Sequence, residues 1–240
     1  MLNFPHKKAI ISQRYGGLGD NLQMSTLPEM FARHGIETYI SSNNVCRNQQ
    51  IYDMAWGLNP YVKGITDEPA NVLIEEIEVS PHIATLNTVQ RAEMLYFGAW
   101  EHAYPITYYK PKFRTDFVER AVLEFGYVTI DLNKSIDKIK ENLCWMLDGQ
   151  HPILLRNPVN DCLDVGTYPE YTVKDIWELA DILYSCRMFA GVESGAAVLA
   201  ATMKQNTPCD GIYVFCRIHF MAAKAFQYPN ETPVEVDSTR

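Results

Sequence analysis

Apolar and polar positions divide the chain into short hydrophobic runs alternating with stretches of helical period. Ala9-Ile10-Ile11 reads as a first strand, followed by the glycine-rich turn Gly16-Gly17-Leu18-Gly19. Leu22, Leu27, Met30 and Phe31 then follow a helical spacing that ends near Gly35. Pro28 must kink this helix or open its regular part, because proline has no N–H to give the preceding turn. Thr38-Tyr39-Ile40 predicts a second strand, and Arg47 to Trp56 a helix closed by Gly57. Pro60-Tyr61-Val62 leads into a third strand, and Asn71 to Val79 reads as another. Thr88 to His102 places Val89, Ala92, Leu95, Ala99 and Trp100 at helical spacing.

Residues Tyr104 to Arg114, with Pro105 and Pro111, break this rhythm and predict a linker. A second series follows. Tyr127-Val128-Thr129-Ile130 predicts a strand, and Ser135 to Leu147 a helix facing inward with Ile136, Ile139, Leu143 and Met146. Ile153-Leu154-Leu155 is the next strand. Thr172 and Asp175 form a Thr-x-x-Asp box opening a helix with the stripe Ile176, Leu179, Ala180 and Leu183. Met188 to Val192 is a strand, Glu193-Ser194-Gly195 a tight turn, Ala196 to Met203 a short helix, and Gly211 to Phe215 the last strand. Strands alternating with helices predict an α/β chain with parallel sheets, and two successive series predict two similar lobes with a cleft between them. Ligands of such folds bind beyond the carboxyl ends of the strands.

Composition narrows the function classes. With 47% hydrophobic residues in 240, the chain can bury a core, and disorder is excluded as its main state. No apolar run reaches the roughly 18 residues of a membrane span. The N-terminal run reaches Ser12-Gln13-Arg14 too soon for a signal-peptide core, which predicts a cytoplasmic protein. A net charge of −8 disfavours non-specific attraction to nucleic acid. The six cysteines include no Cys-x-x-Cys pair and read as reduced, buried thiols. The six histidines have no ligand spacing and no Asp-x-Asp motif occurs, so no metal is expected. Tyr96, Trp100, Tyr104, Tyr108 and Tyr109 supply faces that could stack a sugar or a base. Core packing is the expectation for Trp100, while Tyr108 and Tyr109 fit either use.

Two strand-to-helix turns could carry chemistry. In Gly16-Gly17-Leu18-Gly19-Asp20-Asn21, glycines permit close backbone approach and the helix start supplies free N–H groups. The dinucleotide fingerprint is broken by Leu22, and the Gly-Lys-Ser/Thr of a phosphate loop is missing. Asp20 at this helix start can act as a general base, kept ionised by the helix field, or simply cap the helix. In Gly191-Val192-Glu193-Ser194-Gly195, followed by an alanine-rich helix, a phosphate-binding helix end competes with close helix–strand packing.

Together the two turns resemble the ADP-heptose-type glycosyltransferases, family 9. Gly16 to Pro28 resembles that family's N-terminal Gly-x-x-Gly-Asp…Thr-x-Pro signature, and Asn59-Pro60-Tyr61-Val62 its Asn-Pro-Tyr-Ile. Thr172 to Ala201 resembles its helix, strand, Asp-Ser-Gly turn and alanine-rich helix, with Glu193 in the place of the Asp and Val198 where a His often stands. The resemblance implies a GT-B-like fold of two Rossmann-like lobes: an acceptor lobe over 1–120, a nucleotide-sugar lobe over 126–228 and a tail over 229–240. It implies a metal-independent, inverting glycosyltransferase in which Asp20 takes the acceptor proton. The donor, a nucleotide diphosphate-sugar serving as co-substrate with no further cofactor, would be held by Gly17, Gly19, Asn133, Lys134, Arg156, Asn157, Glu193, Ser194, Gly195 and Ala196. The acceptor would be a saccharide, a lipid-linked group or a modified base. The rival reading is a non-catalytic binding protein for nucleotides or nucleotide-sugars on the same fold, which has no need of Asp20.

Overall fold

The computed structural model describes residues 4–79, 85–127, 135–157, 161–216 and 227–236. Among these, 4–110 with 227–229 form one compact unit, and 111–216 with 230–236 form a second. The boundary therefore falls in the proline-bearing linker, earlier than expected. The segment expected as a tail contributes a strand, Glu231–Glu235, to the second unit.

In unit one, strands β1 (Lys8–Ser12), β2 (Glu37–Ser41), β3 (Val62–Thr66) and β4 (Val72–Leu73) form a parallel sheet in the order β3-β2-β1-β4. The chain winds outward from β1 and returns on its other side, so the winding reverses between β1 and β4. The expected single helix after the glycine turn is two helices, α1 (Leu18–Leu22) and α2 (Leu27–Arg33). Pro28 lies in the first turn of α2, where its missing N–H costs nothing. The helix α3 (Gln49–Tyr52) is capped by Asn48 and runs into a π-helical turn, Asp53–Gly57. The expected strand over 71–79 is a strand only at β4 and then turns into helix α4 (Ile74–Glu78). Helix α5 (Thr88–Phe97) starts in a reciprocal Asn87–Gln90 box and stops at Gly98, whose φ of 71° only glycine adopts readily. That stop leaves Trp100 outside the helix and 44% exposed, against the core role expected for it. The core of this unit gathers Ile10, Ile11, Leu22, Phe31, Ile40 and Trp56.

In unit two, the first strand is β5 (Arg120–Glu124); of the strand expected over 127–130, residues 128–130 lie outside the described residues. Gly126–Tyr127 is β6, paired antiparallel with β8 (Asp161–Cys162). The main sheet adds β7 (His151–Arg156), β9 (Glu170–Thr172), β10 (Met188–Val192), β11 (Gly211–Cys216) and β12 (Glu231–Glu235). All are parallel, in the order β12-β11-β10-β5-β7-β9. This is the doubly wound dinucleotide-type order, and its winding reverses between β5 and β10. Every residue of β10 is buried, as expected for a central strand covered on both faces. Helix α6 (Ile136–Met146) buries Ile139, Leu143 and Met146 as its spacing predicted. Helix α7 (Ile176–Ser185) is capped by Asp175, which accepts from the Glu178 N–H at 2.8 Å; Thr172, expected as the cap, ends β9 instead. Helix α8 (Gly195–Met203) is buried along Ala196 to Met203, so its apolar periphery packs inside the unit. Cys186 and Cys216 are buried, but Cys144 is exposed. No described helix is long and apolar enough to cross a membrane.

Candidate functional site

Each of the two motif turns stands at the winding reversal of its own sheet, where ligands of doubly wound folds sit.

In unit one, the chain leaves β1 through Gln13 and enters α1 across the glycine turn. The turn is held from inside by Asn21, which is fully buried. Its Nδ2 donates to the carbonyls of Gly17 (2.9 Å), Val45 (3.2 Å) and Tyr15 (3.3 Å). Its Oδ1 accepts from Trp56 Nε1 at 2.9 Å, from Asn44 Nδ2 at 3.2 Å and from the Cys46 thiol at 3.4 Å. Asn59 of the Asn-Pro-Tyr-Val run is likewise structural, its amide donating to the Ser25 carbonyl at 3.1 Å. The Asp20 carboxylate accepts the Gly17 N–H at 3.1 Å, which makes it a cap of its own turn and occupies the Gly17 amide. The expected depression of the Asp20 carboxyl is reversed. Burial raises it above the ordinary carboxylate range, more than the Gly17 N–H and the Arg47 charge lower it. A five-residue helix has little dipole to oppose that desolvation. Gly17 and Gly19 have no left-handed φ, so neither is required for chain reversal.

In unit two, the turn after β10 brings Glu193, Ser194, Gly195 and Ala196 to the reversal point, beside the end of β5. Ser194 has the extended backbone of an N-cap, yet its side chain does not cap α8. The hydroxyl instead donates to Glu124 Oε2 at 3.2 Å. The first-turn N–H groups of α8 have no acceptor within the helix. Glu193 is anchored by its N–H to the Phe215 carbonyl (3.3 Å), while its Oε2 is buried with no hydrogen-bond partner among the described residues. Burial pushes the carboxyls of both Glu193 and Glu124 up to about 7.

The sequence pattern does not single out Glu124, because the strand it predicts there begins at Tyr127. The signal was present in the apolar run Ala121-Val122-Leu123 ending on an acid. Arg156 ends β7, one strand away from the reversal, and pairs with Glu170 at 2.7 Å. Asn157 follows it. Asn133 and Lys134 lie outside the described residues. Tyr108 donates its hydroxyl to Glu29 at 3.0 Å and meets Tyr61 edge-on, so its ring is engaged within unit one. No group of three or more His, Cys, Asp and Glu that could hold a metal occurs among the described residues.

No family model and no curated protein sequence matches the chain. Its fold does match solved structures. The iron-containing dodecameric glycosyltransferase TibC from enterotoxigenic E. coli H10407 is similar at a TM-score of 0.62 and 13% identity, over 94% of this chain and 63% of that one. The E. coli heptosyltransferase WaaC, solved with ADP-2-deoxy-2-fluoro heptose, is similar at 0.55 and 10% identity, over 95% of this chain and 92% of that one. The family 9 glycosyl transferase from Veillonella parvula DSM 2008 is similar at 0.58 and 10% identity, over 95% and 85%. The chain thus spans less than two thirds of the length of TibC. The shared property is the fold, an α/β chain of GT-B type, as the sequence motifs implied.

Proposed function

We propose that the chain is a glycosyltransferase that moves a sugar from a nucleotide diphosphate-sugar to an acceptor hydroxyl, with inversion. The observation that carries this reading is that both motif turns stand at the winding reversals of their sheets, in a fold shared with heptosyltransferases solved with ADP-linked sugars.

In this reading Asp20 accepts the proton of the acceptor hydroxyl as its oxygen attacks the anomeric carbon. The bond from that carbon to the diphosphate breaks, and the diphosphate leaves with the electron pair. A carboxylate raised by burial is the stronger base, closer in affinity to the proton it must hold. The free N–H groups at the start of α8 would take up the growing charge of the leaving diphosphate, with Lys134 as a further contact. No step is assigned to a metal.

Asp20→Asn keeps the size of the side chain and one oxygen to accept from Gly17, but removes the base. Transfer should fall by about 10²–10⁴-fold, with donor affinity within a few-fold of wild type. The assay is turnover with a panel of nucleotide-sugars, beside titration of the same donors. A variant that turns over like wild type removes Asp20 from the mechanism. The rival, a binding protein without catalysis, is favoured by one observation, the bond from the Gly17 amide to the Asp20 carboxylate, which a cap alone explains. Under that rival the panel raises the melting temperature while no donor is transferred or hydrolysed.

A further inference from the structure

Glu124 closes β5 at the reversal point of unit two, and neither the proposed base nor the proposed anion site accounts for it. Only 8% of the residue is exposed. Oε1 accepts the Gly126 N–H at 3.1 Å and Oε2 the Ser194 hydroxyl at 3.2 Å. No cation pairs with it among the described residues. The titratable group facing it there is Cys162, opposite Gly126 on β8, while Glu193 precedes Ser194 in the turn after β10. Arg156 interacts with Cys162 and pairs with Glu170. A serine at an N-cap ordinarily folds its oxygen onto the helix N–H groups. Here the hydroxyl is drawn off to Glu124, so the helix end stays open. The same arrangement sets a buried carboxyl one hydroxyl away from that opening.

We propose that Glu124 is a positioning and specificity-determining residue of the α8 helix end, holding Ser194 off the helix and admitting a diphosphate only when its own carboxyl is protonated. This inference rests on the reading that the helix end receives the diphosphate of a nucleotide-sugar. The physical reason is charge. A diphosphate brought beside an ionised, buried and unpaired carboxylate meets a like charge with little water to screen it. Uptake of one proton removes the repulsion and turns the carboxyl into a donor toward Ser194 or a phosphate oxygen. Burial has already lifted this carboxyl to about 7, so the exchange falls in the neutral range.

The test is calorimetric titration of the full chain with ADP-glucose, GDP-mannose and UDP-glucose. Their diphosphates are doubly esterified and keep the same charge across the range. The sugar-nucleotide that binds best should bind wild type several-fold to about 30-fold more weakly at pH about 8.5 than at pH about 6, with a slope of at most tenfold per pH unit for one proton. Repeating the alkaline titration in two buffers of different ionisation enthalpy should report close to one proton taken up. Glu124→Gln cannot ionise; its amide oxygen still accepts the Gly126 N–H, and its amide nitrogen donates to the Ser194 hydroxyl, reversing that bond. It should bind with a flat pH profile and more tightly than wild type at alkaline pH. A merely structural Glu124 would shift melting without moving the slope.

A flat wild-type profile without proton uptake overturns the inference and leaves the proposed function standing. A slope that persists in Glu124→Gln also overturns it, and assigns the proton to another group, Glu193→Gln being the next variant. Failure of all three sugar-nucleotides to bind wild type at any pH overturns both. Should Glu124→Gln not fold, proton uptake by wild type decides alone, and its absence refutes the inference.

Discussion

At the scale of single residues, the glycine turn of unit one depends less on its glycines than on Asn21. One fully buried amide ties the carbonyls of Tyr15, Gly17 and Val45 to the Trp56 indole, the Asn44 amide and the Cys46 thiol. Removing it leaves the buried Trp56 indole N–H without its partner, at a cost on the order of 1–3 kcal/mol, and takes away the bonds that tie the turn to the loop of Asn44 to Cys46. Asn21→Ala should therefore lose roughly 2–4 kcal/mol in denaturant unfolding of the whole chain. Asn21→Asp should be no better, since it replaces the amide donors with a carboxylate facing carbonyls. Stability within about 0.5 kcal/mol of wild type in Asn21→Ala would show that water replaces the amide and that the turn is held by other means.

At the scale of elements, β10 and α8 contain glycines with different work. Gly191 lies beside Glu124 in register, and a Cβ there would stand 2.4 Å from the Glu124 carbonyl oxygen and 2.8 Å from Phe189 Cζ. Phe189 can move its ring, but the Glu124 carbonyl belongs to the neighbouring strand. Gly191→Ala should then cost roughly 2–4 kcal/mol and disturb the position of Glu124. Gly195 begins α8 without a left-handed φ, so its backbone does not require glycine. Gly195→Ala should fold with a change of under about 1 kcal/mol, since alanine is the better helix former. Its effect should fall on donor binding, through the side chain added at the helix end. Chemical denaturation and sugar-nucleotide titration of the two variants check this, and the assignment fails if their order of stability is reversed.

At the scale of the whole molecule, pH acts on how the chain that leaves α5 is fastened back onto that helix. Glu93, inside α5 and fully buried, accepts from the Glu101 N–H (2.7 Å), the His102 N–H (3.0 Å) and the His102 ring Nδ1 (2.7 Å). Burial alone would raise the Glu93 carboxyl, but the His102 ring and the two N–H groups outweigh it and hold the group below its ordinary 4.5. The Glu93 hydrogen bond in turn raises His102 above its ordinary 6.5, against the opposing effect of burial. The two limbs have opposite signs. The Glu93 contribution is present above 4.5 and lost as pH falls through its lowered folded value. The His102 contribution is present below 6.5 and lost as pH rises through its raised folded value. The pair therefore stabilises most between these limits, in mildly acidic solution. Melting temperature followed across pH should decline on the alkaline side in wild type, and His102→Gln should flatten that limb. An alkaline limb unchanged in the variant would assign the decline to other groups.

The sequence by itself determined the class of fold and the place of the two turns. Alternating short apolar runs and helical periods in two series can be buried only as strands covered by helices, and the turns between them follow from where each pattern stops. Pro28, Gly98 and the stripe of α6 act within one or two turns of chain, so their effects were legible or nearly so. Tertiary structure decided what depends on neighbours distant in sequence. The start of unit two's sheet at Arg120 rather than Tyr127 was decided by pairing with β7 and β10, which no local pattern reports. The move of 231–235 from tail to edge strand was decided by β11, more than a dozen residues earlier. Asn21 is an ordinary residue of its motif until Val45, Asn44 and Trp56 surround it. Asp20, expected to be held ionised by a helix, is raised instead because burial is a property of the packed unit. Glu124 and Ser194 are 70 residues apart, and only the parallel pairing of β5 with β10 makes one the hydrogen-bond partner of the other.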